Sequence, residues 1–402
     1  MGTIYLDHAA TTPPLKKVSE AIKPYLSYEY GNPSSIYQMG RKARAAVEQA
    51  RKDVAKLIGA NPGEIVFTSG GTESDNLALI GTALSLREKG RHVITTAIEH
   101  HAVLESCRFL KRLGFEISLV GVDSSGIVDP DDIRKEIRKD TVIVSVMHAN
   151  NEVGTIQPVA EIAKICRESE VCFHTDAVQT VGNINVDVRE LGVDLLSISA
   201  HKFYGPKGIG ALFIREGCSV ERLIHGGEQE RGLRAGTENV PGIVGLGVAA
   251  EAAAGELEER AEKIAALRDA LVEGILSSIT GSHLTGHETM RLPNNAHFCF
   301  EGVEGEAVCL HLDACGVCAS TGSACSSEAL EPSHVLLAMG FGRELAQGSV
   351  RFTLGRRNTE EEINYLIEIL PPIIERLRAM SPGISYGSRA CANGVCSKEI
   401  DR

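Results

Sequence analysis

Between residues 34 and 214 the chain alternates between two hydrophobic rhythms. Val47, Ala50, Val54 and Leu57 recur at helical spacing, which predicts a helix over 34–59 stopped by Gly59. Short β-rich runs follow at 64–68, 92–95, 115–122, 141–147, 171–174, 193–199 and 209–214, most of them separated by helix-like stretches. Strands alternating with helices predict an α/β fold with a mainly parallel seven-stranded sheet covered on both faces. Ligands of such sheets bind outside the carboxyl ends of the strands, so the loops just after them are the place to look for chemistry.

A Gly- and Arg-rich stretch at 226–236 breaks the alternation and reads as a linker. A long helix is predicted over 241–279, with Leu257, Ile264, Leu267 and Leu271 as its apolar stripe. Strand-like 296–300, helix-like 305–314, strand-like 350–354 and helix-like 359–370 then suggest a second, smaller α/β unit. Residues 381–402 have few large apolar side chains and several Gly and Ser, the composition of a mobile tail.

Apolar residues make up 43% of the 402 and charged residues 23%, which excludes a disordered or fibrous chain. The longest uncharged apolar run, 240–250, is about half of what a bilayer span needs, so no transmembrane helix is expected. The first residues lack the cationic start and apolar stretch of a signal peptide, which predicts a cytoplasmic protein. A net charge of −12 argues against direct nucleic-acid binding. Eleven cysteines in such a chain read as reduced thiols, metal ligands or catalytic groups rather than a disulfide frame.

Familiar nucleotide and hydrolase signatures are missing: there is no Gly-Lys pair, no early G-x-G-x-x-G and no H-E-x-x-H. The one G-x-S-x-G, from Gly383 to Gly387, lies in the tail without the strand and helix of a nucleophile elbow. Four other constellations carry chemistry. In Thr68-Ser69-Gly70-Gly71-Thr72-Glu73-Ser74-Asp75, two glycines after a strand and a capping-box spacing from Thr72 to Asp75 describe either an ordinary capped helix or a phosphate cradle. Asp176, directly after a strand, suits a helix cap or a carboxylate that keeps a cofactor ring nitrogen protonated, as pyridoxal phosphate requires. Lys202, framed by His201 and an aromatic pair, is a better candidate for a desolvated nucleophilic amine than Lys207, which sits in a Pro/Gly loop. Cys325, among small polar residues, fits an accessible reactive thiol, whereas Cys107, Cys166, Cys172, Cys299 and Cys309 read as small buried hydrophobes.

Seven motifs in one order resemble the cysteine desulfurases of the NifS/IscS type, fold-type I pyridoxal-phosphate enzymes of the class-V aminotransferase family. They are Tyr5-Leu6-Asp7-His8-Ala9-Ala10-Thr11-Thr12-Pro13, Ser69-Gly70-Gly71-Thr72-Glu73-Ser74, Glu99-His100-His101-Ala102-Val103, Asn150-Asn151-Glu152-Val153-Gly154, Ser199-Ala200-His201-Lys202, Arg234-Ala235-Gly236-Thr237 and Gly322-Ser323-Ala324-Cys325. The resemblance spans residues 3–378. It implies a large cofactor-binding domain over 15–260 and a small domain of 1–14 with 261–380 that carries the catalytic Cys loop. It also implies that Lys202 binds the cofactor as a Schiff base and shuttles protons, that Asp176 pairs with the pyridine nitrogen, and that His100 stacks on the ring as acid or base. Gln179 and Asn151 would flank the phenolic oxygen. Gly71, Thr72, Ser199 and His201 would hold the phosphate, joined by Thr237 from a second subunit of a homodimer. Arg356, assisted by Asn32, would grip the substrate carboxylate. L-Cysteine would yield L-alanine and a persulfide on Cys325, whose sulfur passes to an iron–sulfur scaffold protein of the IscU/NifU type or to a tRNA-thiolation relay. No resident metal is implied; Cys325 would at most ligate an iron–sulfur centre transiently on the scaffold.

Cys315-x-x-Cys318 and the tail pair Cys391 and Cys396 stand beside that pattern, and relaying sulfur, binding a metal or neither suits the tail spacing. Selenocysteine lyase, cysteine-sulfinate desulfinase and a small-substrate aminotransferase share the expected fold. A non-catalytic metal or iron–sulfur module built on Cys315, Cys318, Cys325 and the tail pair is the rival of another class. It leaves Lys202, Asp176 and the glycine loop without a purpose.

Overall fold

The computed structural model describes residues 2–322 and 332–380. The seven β-rich runs form one sheet in the order Ile65–Thr68, Gly210–Ile214, Leu195–Ser199, Cys172–Asp176, Thr141–Ser145, His92–Thr96, Glu116–Val120. Gly210–Ile214 runs antiparallel to both its neighbours, and the remaining pairings are parallel. Thr141–Ser145 and Leu195–Ser199 are buried at every residue, as strands covered on both faces must be. The edge strand instead exposes Glu116 and Leu119.

The first long helix, Gln38–Leu57, starts later than the predicted 34 because Asn32 Oδ1 accepts the Ser34 N–H in a local turn. It buries Gly40, Ala43, Val47, Ala50 and Val54 on one face, packed against the helix Val240–Ser278. That second helix has 39 residues, about 58 Å at 1.5 Å each. It spans two apolar cores. Its first turns join Val47, Phe67, Val144, Phe173 and Ile198 under the large sheet. Ile264, Leu271 and Ile275 join Ile4, Leu6, Phe298, Phe352 and Leu366 in the other. Among the described residues it is the one helix long and apolar enough to cross a membrane, contrary to the expectation from uncharged runs; 56% of its most apolar window is buried, so packing accounts for its composition.

The second core sits on an antiparallel sheet, Ser349–Thr353, Asn295–Phe300 and Ser282–Leu284, while Ile4–Tyr5 pairs in parallel with Val317–Cys318. The helix Gly305–Ala314 has its predicted bounds. The last helix runs Glu360–Met380, past Pro371 and Pro372, because Ile373, Ile374 and Leu377 continue its buried stripe. The stretch at 226–236 is no loose linker. Arg51 donates through both terminal nitrogens to the Glu230 carboxylate at 2.8 Å, and the same carboxylate accepts the Phe67 N–H at 2.9 Å. This buried clamp holds Glu230 and Arg231 at φ of 46° and 58°.

Candidate active site

At the carboxyl edge of the large sheet lies a cavity of about 300 Å³. Five of the seven strands contribute at or just beyond their ends: Gly71 and Thr72 after Ile65–Thr68, His100 after His92–Thr96, Met147 and Asn151 after Thr141–Ser145, Asp176 closing its own strand, and Ser199 closing Leu195–Ser199 with His201 and Lys202 after it. Nine of the residues expected at the cofactor therefore meet: Gly71, Thr72, His100, Asn151, Asp176, Gln179, Ser199, His201 and Lys202. The N-terminal segment covers them. Lys202 Nζ donates to Ala9 O at 2.6 Å and Ala10 O at 2.9 Å, and Gln179 Nε2 donates to Ala9 O at 3.1 Å. Lys207, the competing lysine, is exposed and does not line the cavity.

The glycine loop departs from the capping expectation. Helical structure begins at Gly71, with Gly70 as an N-cap at φ 154°, ψ −176°, a region open essentially to glycine. A Cβ on Gly71 would come within 2.7 Å of Val178 Cγ2, so the backbone meets the cavity without a side chain. Asp75 caps nothing. It is 1% exposed and lines the cavity, and its Oδ1 has no hydrogen-bond partner among the described residues, with His174 Nε2 3.6 Å away. Burial, together with the Asp176 charge, raises its pKa well above the carboxylate range. Burial also pushes Asp176 up to about 6, restrained by the Val178 N–H and by Lys202. At neutral pH the two carboxyls thus share one negative charge, placed on Asp176. Beneath them His174, pushed down to about 3 by burial, bridges Ser145 and Ser197 as a neutral ring.

His100 caps the helix His101–Arg112, its Nδ1 accepting the Ala102 N–H at 3.1 Å, which leaves the ring proton on Nε2. Burial, with Lys202, His101 and His334 nearby, pushes it down to about 4. His201, pushed down to about 4 by burial and Lys202, shares a hydrogen bond with Thr11 Oγ1. Both imidazoles are neutral at pH 7.

Two expected substrate residues are not in the cavity. Arg356 points its guanidinium at Glu256, 2.8 Å away, and Asn32 is exposed in its turn. The arginine that lines the cavity is Arg351, 3% exposed, with Nη1 donating to Asn151 O at 2.7 Å, Nη2 to Asp7 Oδ1 at 2.9 Å, and Nε without a partner among the described residues. A lone charge inside the apolar run Val350-Arg351-Phe352 was the available signal. Thr237 is exposed outside the cavity on a segment that Arg234 fastens to Glu73 at 3.0 Å. Cys325, Cys391 and Cys396 lie outside the described residues; Gly322, three positions before Cys325, lines the cavity. Of the cysteines assigned to packing, Cys107, Cys166 and Cys299 are buried, and Cys172 and Cys309 are partly buried against the apolar clusters.

The donor set fits pyridoxal phosphate: an amine for its aldehyde, an ionised carboxylate for its ring nitrogen, and a glycine backbone with hydroxyls for its phosphate. The comparisons agree with that chemistry. The Aminotransferase class-V family model matches residues 4–366, and the chain belongs to that family. It is 58% identical to "Cysteine desulfurase IscS" of Dictyoglomus turgidum over 94% of this chain and 96% of that one. Among solved structures, a "NIFS-like protein" superposes with a TM-score of 0.88 at 43% identity, covering 93% of this chain and 100% of that one. "SspA in complex with cysteine" superposes with a TM-score of 0.79 at 38% identity, covering 89% and 100%.

Proposed function

We propose that this protein is a pyridoxal-phosphate-dependent cysteine desulfurase that converts L-cysteine to L-alanine and carries the sulfur as a persulfide on Cys325. The observation that carries this is the convergence of Lys202, Asp176 and His100 in one cavity that also contains Gly322. Bound pyridoxal phosphate supplies an electron sink that weakens the substrate C–S bond. Lys202 anchors the cofactor through Nζ and moves the proton at the substrate Cα. Asp176 holds the proton on the ring nitrogen, and Asp75, itself protonated, keeps a second charge out of the floor. His100 offers its Nε2–H as the neutral acid–base partner. Gly71, Thr72, Ser199 and His201 receive the phosphate; Asn151 and Gln179 flank the phenolic oxygen; Arg351 receives the substrate carboxylate in place of Arg356 and Asn32. Cys325 Sγ attacks the substrate sulfur, forming an S–S bond as the C–S bond breaks.

The finer parts of the proposal are a cytoplasmic homodimer, with Thr237 completing the phosphate site of a second copy, that feeds an iron–sulfur scaffold protein or a thiolation relay. Exposed Tyr28, Tyr30, Ile36 and Tyr37 support the dimer, since so much apolar surface in one segment favours a partner. The apolar cluster under the large sheet and the one built on Ser349–Thr353 and Asn295–Phe300 support the division into 15–260 and 1–14 with 261–380, although a smaller cluster packs Ile98, Met147 and Val153 against Val335 and Leu336 across it. The test is an assay of alanine and sulfide from L-cysteine with the purified holoenzyme and excess dithiothreitol, whose two thiols become a disulfide as the Cys325 persulfide is reduced to thiol and sulfide. Equal yields are expected, and Lys202→Ala should abolish both; full turnover by that variant, or alanine without sulfur, overturns the proposal.

A further inference from the structure

Lys202 ends a single three-residue helical turn, Ala200–Lys202, a short element with poor hydrogen-bond geometry of its own. What fixes the backbone on either side of Lys202 comes from outside that turn. Thr12, 3% exposed, reaches both flanks. Its N–H and its Oγ1 donate to His201 O at 2.8 and 2.9 Å, and the same Oγ1 accepts the Tyr204 N–H at 2.7 Å. The donor and an acceptor site of one hydroxyl are thus spent on the residue before Lys202 and the residue two beyond it.

Tyr204 needs that hold. It stands at φ 69°, a left-handed conformation uncommon for a bulky side chain. Its carbonyl accepts the Leu15 N–H at 3.1 Å and its Oη accepts the Arg356 N–H at 2.8 Å, so the chain leaves Lys202 in a fixed direction. The segment that supplies Thr12 also supplies Ala9 O and Ala10 O, the acceptors of Lys202 Nζ. That segment is fastened in turn to the smaller sheet, where Thr353 Oγ1 accepts the Ala9 N–H at 2.9 Å. Backbone and amine of Lys202 are both referred to residues 9–12. Thr12 itself does not line the cavity, so it acts through Lys202 and not on cofactor or substrate.

We propose that Thr12 is a positioning residue whose hydroxyl sets the pose from which the Lys202 amine reaches the cofactor aldehyde. The proposal rests on the reading of Lys202 as the anchor of the cofactor.

Thr12→Val keeps the branched shape and loses the hydroxyl, while its N–H can still hold His201 O; Thr12→Ser keeps the hydroxyl. Full-length apoenzyme of each is mixed with pyridoxal phosphate. Amine and aldehyde join with loss of water, borohydride adds hydride to fix the link, and mass spectrometry follows the Lys202 peptide over time. A misplacement of about 1 Å can cost about a hundredfold in rate, so Thr12→Val should slow capture on Lys202 at least about tenfold. Thr12→Ser, with both hydrogen bonds available, should stay within about threefold of wild type. Pyridoxine phosphate, with an alcohol in place of the aldehyde, reads the cradle without the amine. Gly71, Thr72 and Ser199 reach the phosphate from other elements, so its affinity by calorimetry should stay within about threefold in both variants. A merely structural loss would lower that affinity along with capture. Less slowing than tenfold in Thr12→Val, equal slowing in Thr12→Ser, or a loss of pyridoxine phosphate affinity matching the loss of capture would each overturn the assignment. A wild type that captures no cofactor on Lys202 would overturn the underlying reading and the proposal with it.

Discussion

Replacing Arg351 by alanine separates two candidate anchors for the substrate carboxylate. Arg351 is 3% exposed in the strand Ser349–Thr353 and commits one N–H to Asn151 O and one to Asp7 Oδ1. A guanidinium carries five N–H donors, so a carboxylate entering the cavity meets terminal N–H groups that Asn151 O and Asp7 Oδ1 leave unused. Hydrogen bonds to charged groups contribute about 1.5–3 kcal/mol each. Two at the low end give about 3 kcal/mol, and with 1.4 kcal/mol per tenfold that is about a hundredfold. Arg351→Ala should therefore lower kcat/KM for L-cysteine at least about a hundredfold, mostly through KM. Arg356 pairs with Glu256 where the side chains are 28% and 43% exposed. Such a pair is worth about 0–1 kcal/mol, so Arg356→Ala should stay within about threefold of wild type. Alanine formation across a range of L-cysteine concentrations is the assay, with cofactor absorbance and thermal unfolding checking that each variant is folded and loaded. A large loss in Arg356→Ala with Arg351→Ala within about threefold would refute the assignment.

Three further outcomes follow from the same geometry. Glu99 is fully buried, accepts hydrogen bonds from Thr96 and the Met147 N–H, and is pushed up by burial from 4.5 to about 8. The folded chain thus holds that proton more tightly than the unfolded one, so its contribution to stability is full below 4.5 and is lost as pH rises through about 8. Glu99→Gln should flatten the fall in unfolding free energy between about pH 5 and 8 measured by urea titration, and an unchanged slope would count against it. Asp75→Asn, which keeps a neutral group in place, should leave cofactor affinity of the apoenzyme within about threefold, whereas Asp176→Asn should weaken it at least about tenfold; the reverse order would show the charge resides on Asp75. Arg51→Ala leaves Glu230 buried without its cation and should cost about 3–5 kcal/mol in chemical denaturation, and a loss under about 1 kcal/mol would mean the clamp is dispensable.

The sequence by itself determined what is local. Buried strands such as Thr141–Ser145 announce themselves as apolar runs, and the residues that follow strands of a parallel sheet face one edge, so Lys202, Asp176 and the glycine loop were legible from their positions, whereas His100 was named only through the family resemblance. The pairs Ile4–Tyr5 with Val317–Cys318 and the half-exposed Ser282–Leu284 were not, because strands of two or three residues carry no periodic signal. The choice between Arg351 and Arg356 turned on which residue of one short segment faces the cavity. Five positions separate them, yet one meets Asn151 and Asp7 and the other Glu256. Asp75 offered the spacing of a cap, but the helix opens one residue before Thr72, at Gly71, and burial left its carboxyl in the cavity floor. Spacing along the chain records backbone geometry, whereas meetings between distant residues are set by how the sheet and the two cores close, and that belongs to the tertiary structure.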